Sequence, residues 1–316
     1  MKKILLTGGY GFIGKHLLKK LLKKYYVINI DNLTYASKFE NIKNKNYKFF
    51  KVDINNRNKI SEIIKKNNPD IIVNCAAETH VDNSILDPKK FIKTNINGTI
   101  NLLEALRSLK KNNSKFIQIS TDEVFGSLNL KDKKFDNNSK INPKSPYSSS
   151  KASADLFVQA YSNTYGINYS ITHSSNNFGP GQNKEKFIPT IIKSCISKKP
   201  IPIYGNGKNI RDWIYVEDNV DAIIKVIDNG KKNSKYLIGS NNEISNNQIA
   251  KIICKSFNRI SKNNFNYSSL ISYVEDRKGH DFRYGVNNSS IMDLGWRSKF
   301  SFLKGIDNTI KYYLKK

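Results

Sequence analysis

Four side chains in two short segments could move protons together. The segment Ser120-Thr121-Asp122-Glu123-Val124-Phe125-Gly126 follows the apolar residues Phe116, Ile117 and Ile119, so its two carboxylates stand where a buried strand ends. Charge at that place is costly without a task or a partner. Tyr147 and Lys151 come a short loop later, spaced by one helical turn, which puts a phenol and an ammonium on one face. Lys151 in that position lowers the pKa of the phenol and makes Tyr147 a base towards a hydroxyl. Acid, base and phenol gathered at one sheet edge suit proton chemistry beside a hydride acceptor.

A hydride acceptor has its own signature near the N-terminus. Thr7-Gly8-Gly9-Tyr10-Gly11-Phe12-Ile13-Gly14 joins an apolar run to a helical pattern. Glycines at 8, 11 and 14 allow a tight turn, close approach of a pyrophosphate, and close helix–sheet packing. The helix N-terminus then offers N–H groups and the positive dipole end to phosphates. Asp31 closes the second apolar run, placed to accept from an adenosine ribose. An acid there repels a 2′-phosphate and no arginine follows it, so NAD is expected over NADP. Asp53-Ile54 and Ala76-Ala77 end the next two runs, where an adenine could be flanked and a cofactor given room.

The elements that must position these groups alternate β-branched runs with helical patterns, as in a parallel sheet with crossover helices. Expected strands are Lys3–Leu6, Val27–Ile30, Phe49–Val52, Ile71–Asn74, Phe116–Ser120 and Tyr169–Thr172. Expected helices are Phe12–Lys24, Lys59–Lys66, Pro88–Leu109 and Tyr147–Tyr165, with a polar loop over Lys131–Ser145. In the first helix Phe12, Ile13, Leu17, Leu18, Leu21 and Leu22 form one apolar face. Beyond Ser174 prolines and glycines cluster, Ile214–Asn229 reads as a helix, and Lys235–Ile238 reads as a strand returning to the sheet. The fold class is therefore α/β, a Rossmann-type doubly wound parallel sheet with a smaller, interleaved C-terminal substrate-binding lobe. Residues 1–175, with 214–240 returning, form the dinucleotide-binding part, and 176–316 mainly form the lobe.

Composition narrows the function classes. No apolar stretch approaches the roughly 20 residues that span a bilayer, so no membrane partner and a cytoplasmic location are expected. Cys75, Cys195 and Cys254 are far apart and make no CxxC pair, which argues against a disulfide framework or a metal site. A net charge of +27 raises nucleic-acid binding, but the lysines are scattered, arginines are few, and no basic stripe alternates with aromatics. No nucleic-acid partner is expected. The field would still attract an anionic substrate.

Read together, these residues resemble the extended short-chain dehydrogenase/reductase family of nucleotide-sugar epimerases and dehydratases, over nearly the whole chain. The segments that carry the likeness include Asp31-Asn-Leu-Thr-Tyr-Ala-Ser37, Ala76-Ala-Glu-Thr-His-Val-Asp82 and Ser120–Gly126. Ser175-Asn-Asn-Phe-Gly-Pro180, Glu185-Lys-Phe-Ile-Pro189, Tyr204–Asp218 and Asp276-Arg-Lys-Gly-His-Asp281 extend it. The Thr-Asp-Glu triplet at 121–123 points to the 4,6-dehydratases, since epimerases usually lack the acid pair. Asn83, Phe178, Gly181, Phe187 and Lys278 depart from the family's usual residues, and none of them removes a catalytic group.

The resemblance implies a division of labour. Tyr147 takes the proton of a sugar 4-hydroxyl while hydride leaves C4 for NAD, and Thr121 hydrogen-bonds the 4-oxygen. Glu123 then removes the acidified C5 proton, Asp122 protonates the departing 6-hydroxyl, and hydride returns to C6. Cofactor positions carry over to Phe12, Ile13, Asp31, Asn32, Leu33, Thr34, Asp53, Ile54, Thr94, Tyr147, Lys151 and Asn176. Substrate positions carry over to His80, Asn177, Glu185, Lys186, Pro202, Ile203, Tyr204, Arg211, Asn246, Arg277 and His280. Arg211 and Arg277 suit a diphosphate because guanidinium offers paired donors. The implied partner is a nucleotide-diphosphate sugar, dTDP-glucose ahead of a UDP-sugar, with a UDP-sugar dehydratase or an NAD-dependent epimerase as the alternative. A homodimer through Pro88–Leu109 and Tyr147–Tyr165 and a place in deoxysugar biosynthesis, rhamnose included, are implied as well.

Overall fold

The computed structural model describes residues 1–109, 114–262 and 264–315. The chain opens with β1 (Lys3–Thr7), α1 (Phe12–Leu21), β2 (Tyr26–Asp31), β3 (Tyr47–Lys51), α2 (Arg57–Asn67) and β4 (Ile71–Asn74). Next come α3 (Val81–Leu86), α4 (Pro88–Phe91), a π-helical segment Ile92–Asn97, α5 (Gly98–Arg107) and β5 (Lys115–Thr121). A 3-10 turn Asp122–Phe125 leads on to α6 (Pro146–Tyr165) and β6 (Asn168–Ser174). The remainder runs β7 (Asn176–Phe178), α7 (Phe187–Ser197), β8 (Ile201–Tyr204), β9 (Ile210–Tyr215), α8 (Val216–Asn229) and β10 (Ser234–Ile238). It closes with β11 (Glu243–Ser245), α9 (Asn246–Ser261), β12 (Ile271–Val274), α10 (Ser289–Met292) and α11 (Phe302–Leu314).

Seven strands form one parallel sheet in the order β10-β6-β5-β4-β1-β2-β3. Successive residues of β1 serve opposite faces. Ile4 and Leu6 join Leu17, Leu18 and Leu21 of α1 and Val220, Ile223 and Val226 of α8. Leu5 joins Ile60, Ile63 and Ile64 of α2 and Leu102 and Leu103 of α5. Burial on both faces is why the strand sequences read as unbroken apolar runs rather than alternating ones. Strand order reverses between β1 and β4, and this opens the crevice in which α/β sheets bind ligands.

The second half builds a separate core around α7, α9 and α11, in which Ile188, Ile192, Ile249, Ile253 and Ile306 are fully buried. Two small sheets, β11-β9-β7 and β12-β8, border it. Strand β10 pairs with β6 from Ser234↔Ser170 to Ile238↔Ser174, as the sequence pattern anticipated.

Some expected boundaries are wrong. The single helix over Pro88–Leu109 is interrupted by the π-helical segment and ends at Arg107. Within that segment the Asn95 side chain turns away to hold the Glu78 backbone and Ser150. Helix α1 ends at Leu21 because Lys23 and Lys24 close a tight turn on Lys20 and Leu21. Ile214 and Tyr215 belong to β9 instead of the following helix, and β3 starts two residues earlier and ends one residue earlier than expected, over Tyr47–Lys51.

Candidate active site

The glycine turn behaves as its chemistry requires. Gly8 lies at φ +68°, and a Cβ there would stand 2.8 Å from the Ala76 backbone nitrogen. A Cβ on Gly14 would overlap the Gly8 carbonyl and approach Gly9 Cα to 2.9 Å. A Cβ on Gly11 would meet only the Gly8 oxygen, at 3.3 Å, so that residue faces open space at the start of α1. Asp31 anchors the turn: it accepts from Tyr10 N at 2.9 Å, Leu33 N at 2.8 Å and Ser37 Oγ at 2.7 Å. These bonds hold Leu33 at φ +55°, a left-handed conformation that L residues seldom adopt. Asp31 therefore shapes the Asn32–Thr34 loop as well as facing the crevice.

Other expected cofactor positions line the same sheet edge. Phe12 and Ile13 pack partly against the core below α1. Asp53 accepts from Asn32 Nδ2 and from the Asn55 backbone and side chain. Ile54 is buried against Gly98, Thr94 lies in the π-helical segment, and Ala76 and Ala77 follow β4 half-buried. The buried oxygen Asn176 Oδ1 at the start of β7 has no hydrogen-bond partner, and neither does Asn177 Oδ1 beside it. Buried acceptors without donors are uncommon in native proteins. A dinucleotide fits these residues: glycine backbone for the phosphates, Asp31 for the ribose, and waiting acceptors deeper in the crevice.

The proton-transfer groups converge as expected. Thr121 ends β5, and Asp122 and Glu123 begin the 3-10 turn capped by Thr121 Oγ1, which accepts from Glu123 N at 3.3 Å. Helix α6 starts with a Ser145–Ser148 capping box and Pro146 in its first turn, which fixes its entry angle. Tyr147 is anchored by its backbone N–H to Ser84 Oγ at 3.1 Å and by edge contact with Phe91 at 6.3 Å. Lys151 is buried and donates to the Ile119 carbonyl at 2.6 Å.

Electrostatics separate the two carboxylates. Burial pushes Asp122 well above the usual carboxylate range, and the neighbouring Glu123 and Asp212 add to the effect. Burial raises Glu123 too, while Arg211, Lys186 and Arg277 pull it back. Asp122 Oδ2 is buried without a partner. The pair is thus one carboxyl biased towards its acid form and one partly held as an anion, the arrangement that gives two carboxylates two roles.

One electrostatic expectation is corrected. The Tyr147 phenol is raised well above its ordinary value, by burial first and then by Glu123 and Asp122, and only a hydrogen bond with Thr121 opposes this. The Lys151 ammonium is directed to the Ile119 carbonyl, and burial lowers its own pKa. At rest the phenol is neutral.

The expected substrate residues split into those that face the cleft and those that do not. Arg211 is buried over the Tyr284 ring at 4.3 Å, and three of its donors go to the carbonyls of Ile210, Phe282 and Asp281. Nε and one Nη2 hydrogen remain. Arg277 pairs with Asp82, Nε to Oδ1 at 2.6 Å and Nη2 to Oδ2 at 3.3 Å, and lies over Tyr204 at 5.2 Å. Tyr204 also donates to Asp82, and Lys186 donates to the Thr79 carbonyl at 2.7 Å. His280 pairs with Asp276, whereas His80 caps α3 by accepting from Asn83 N. Glu185 is exposed and Asn246 buried at the start of α9. In β8 the side chains of Pro202 and Tyr204 point outward, and that of Ile203 is fully buried in the core, leaving only its backbone for a ligand. Asp82 went unassigned in the sequence because its partner Arg277 lies 195 residues away, and no local pattern reports such a pair.

Comparison with known proteins follows the same lines. Residues 5–309 match the family model described as GDP-mannose 4,6 dehydratase. A dTDP-glucose 4,6-dehydratase of Haemophilus influenzae is 42% identical, covering 99% of this chain and 98% of that protein. One of Escherichia coli is also 42% identical, covering 99% and 93%. The crystal structure of DesIV, a dTDP-glucose 4,6-dehydratase of Streptomyces venezuelae with NAD bound, superposes with TM-score 0.91 at 34% identity over 99% of this chain and 97% of that one. A UDP-glucose 4-epimerase of Thermotoga maritima superposes with TM-score 0.89 at 28% identity, covering 99% of both chains. Shape alone does not separate the two activities.

Proposed function

The chain belongs to the GDP-mannose 4,6-dehydratase family, and we propose that it catalyses the NAD-dependent dehydration of dTDP-glucose to dTDP-4-keto-6-deoxyglucose. The observation that carries this reading is the divided acid pair Asp122–Glu123 beside Tyr147, since an epimerase has no use for a carboxylate at C5. NAD held by the glycine turn and Asp31 would supply the redox chemistry, as hydride acceptor at C4 and hydride donor at C6. Tyr147, once its own phenolic proton has passed to solvent, accepts the proton of the 4-hydroxyl, and Thr121 holds the 4-oxygen by hydrogen bond. Glu123 withdraws the C5 proton, which the 4-ketone has made acidic. Asp122, biased to its protonated form, gives its proton to the 6-hydroxyl, and water leaves. Glu123 then restores a proton at C5, and release of the Tyr147 proton to solvent with uptake of one by Asp122 resets both groups, so the protons balance over a turnover. Arg277 and the free donors of Arg211 take the diphosphate, with Lys186 adding charge.

The same reading makes the enzyme a homodimer. Leu86 is 83% exposed, Leu156 52% and Ile92 48%, on α3, α6 and the π-helical segment, the region through which the family resemblance implies a second copy would pack. Among the described residues no helix is long and apolar enough to cross a membrane. The dehydratase reading itself favours a cytoplasmic enzyme feeding a deoxysugar route such as that to rhamnose. Parallel assays with dTDP-glucose and UDP-glucose test the substrate: the reading expects a large preference for the thymidine nucleotide, and equal or reversed preference would overturn it.

A further inference from the structure

Helix α6 is tied to the end of β5 turn by turn. The Thr121 side chain draws the pKa of the Tyr147 phenol down, Lys151 donates to the Ile119 carbonyl at 2.6 Å, and Asp155 accepts from Ser120 Oγ at 2.6 Å. The third contact is not part of the proton chemistry derived above. Asp155 is 1% exposed, and its Oδ2 also meets Nε2 of His173 at 3.1 Å. His173 is itself 2% exposed and lies against the Phe125 ring at 4.8 Å, in the turn that carries the acid pair. Ser120 and His173 face each other across the β5–β6 register. Because an ionised carboxylate only accepts, the imidazole donates from Nε2.

This cluster is expensive to build. Among the described residues Asp155 Oδ1 and His173 Nδ1 are buried without hydrogen-bond partners. A carboxylate kept in such a place calls for a reason beyond packing, since apolar side chains of similar volume would fill it at lower cost. Its location supplies one. The cluster joins the three elements that carry Tyr147 and Lys151, Thr121, and Asp122 with Glu123.

We propose that Asp155 is a positioning residue: locked between Ser120 and His173, it holds the Tyr147–Lys151 face of α6 in register with the Thr121-Asp122-Glu123 turn. The inference rests on the dehydratase reading of those five residues. Asp155 has an electrostatic consequence as well. The titratable groups facing Lys151 are Asp155 on its own helix and Cys75 after β4, and the carboxylate supports the ammonium against the effect of burial. Removing the charge lets Lys151 lose its proton at lower pH.

Asp155→Asn keeps the shape and removes the charge. With dTDP-glucose as substrate, kcat is expected to fall roughly 10- to 100-fold, the loss typical of a slightly misplaced catalytic group. KM should stay within about twofold, because no diphosphate contact is touched. The alkaline limb of kcat against pH should move down by roughly one pH unit, a shift that a merely structural loss does not produce. The double variant Ser120→Ala/His173→Gln keeps the charge and loosens the clamp, so it should lower kcat and leave that limb in place. NMR titration of 13Cε-lysine-labelled protein, with Lys151→Met to assign the resonance, follows the ammonium without turnover and should show the same downward shift in Asp155→Asn. An unmoved Lys151 titration together with unchanged kcat in the double variant would overturn the proposal. A wild-type protein inactive on dTDP-glucose would instead overturn the dehydratase reading, leaving the NMR comparison to decide the role of Asp155.

Discussion

Replacing Glu123 by Gln separates oxidation from elimination. The amide has the size of the carboxylate, and the backbone N–H that caps on Thr121 is untouched, so the turn should keep its shape. What disappears is the carboxylate assigned to take the C5 proton. A positioned general base contributes about 10²- to 10⁴-fold, or roughly 3–5 kcal/mol of barrier. Water loss should slow by that factor, while the first step, which depends on Tyr147 and Thr121, proceeds. Single-turnover quench of dTDP-glucose with the variant should trap the 4-keto hexose with all its oxygens, and mass spectrometry reads this directly. The pH dependence gives a second signature. Burial raises the Glu123 carboxyl, so the base form and the activity appear only above the ordinary carboxylate range, and this acid limb should vanish in the Gln variant. Elimination within threefold of wild type, or an unchanged acid limb, would remove Glu123 from its role.

Three further outcomes follow from the geometry. Gly14→Ala should abolish NAD retention and lower the melting temperature, because its Cβ would run into the immovable Gly8 carbonyl, and retained cofactor in the purified variant would contradict this. Asp82→Ala, Arg277→Ala and the double variant, compared by dTDP affinity, should give non-additive losses if Asp82 orients the guanidinium, whereas additive losses would make the 2.6 Å pair incidental. Glu217, held down to about 2 by His16 and Lys20, stabilises the α1–α8 contact above the unfolded carboxylate pKa, and this stabilisation is lost as pH falls towards 2. At ~1.4 kcal/mol per pH unit its share is at most roughly 3 kcal/mol, so the melting-temperature gap between wild type and Glu217→Gln should close on acidification.

Much of this molecule was legible because its signals are local. The glycine turn, the apolar strands and the Tyr147–Lys151 spacing each depend on residues within a few positions, and all fold as their patterns suggest. The π-helical interruption was hidden because Asn95 is an ordinary helix residue until Glu78 and Ser150 compete for its side chain. The Arg277–Asp82 pair and the carbonyls that occupy Arg211 join segments that only the fold brings together. Strand β8 alternates buried and exposed residues, which a motif match to Pro202–Tyr204 does not register, and so Ile203 was placed with its exposed neighbours. The phenol of Tyr147 was misjudged for a related reason. Spacing reports the nearby ammonium but neither the depth of burial nor the two carboxylates that outweigh it.

The account stands or falls on an internal hydrogen transfer coupled to loss of water. Purified protein given dTDP-glucose deuterated at C4 should form a product lighter by one water, with the label recovered at C6 and no external reductant consumed. Recovery of an intact hexose with the label still at C4, or inverted there, would contradict the assignment of Asp122 as acid and Glu123 as base.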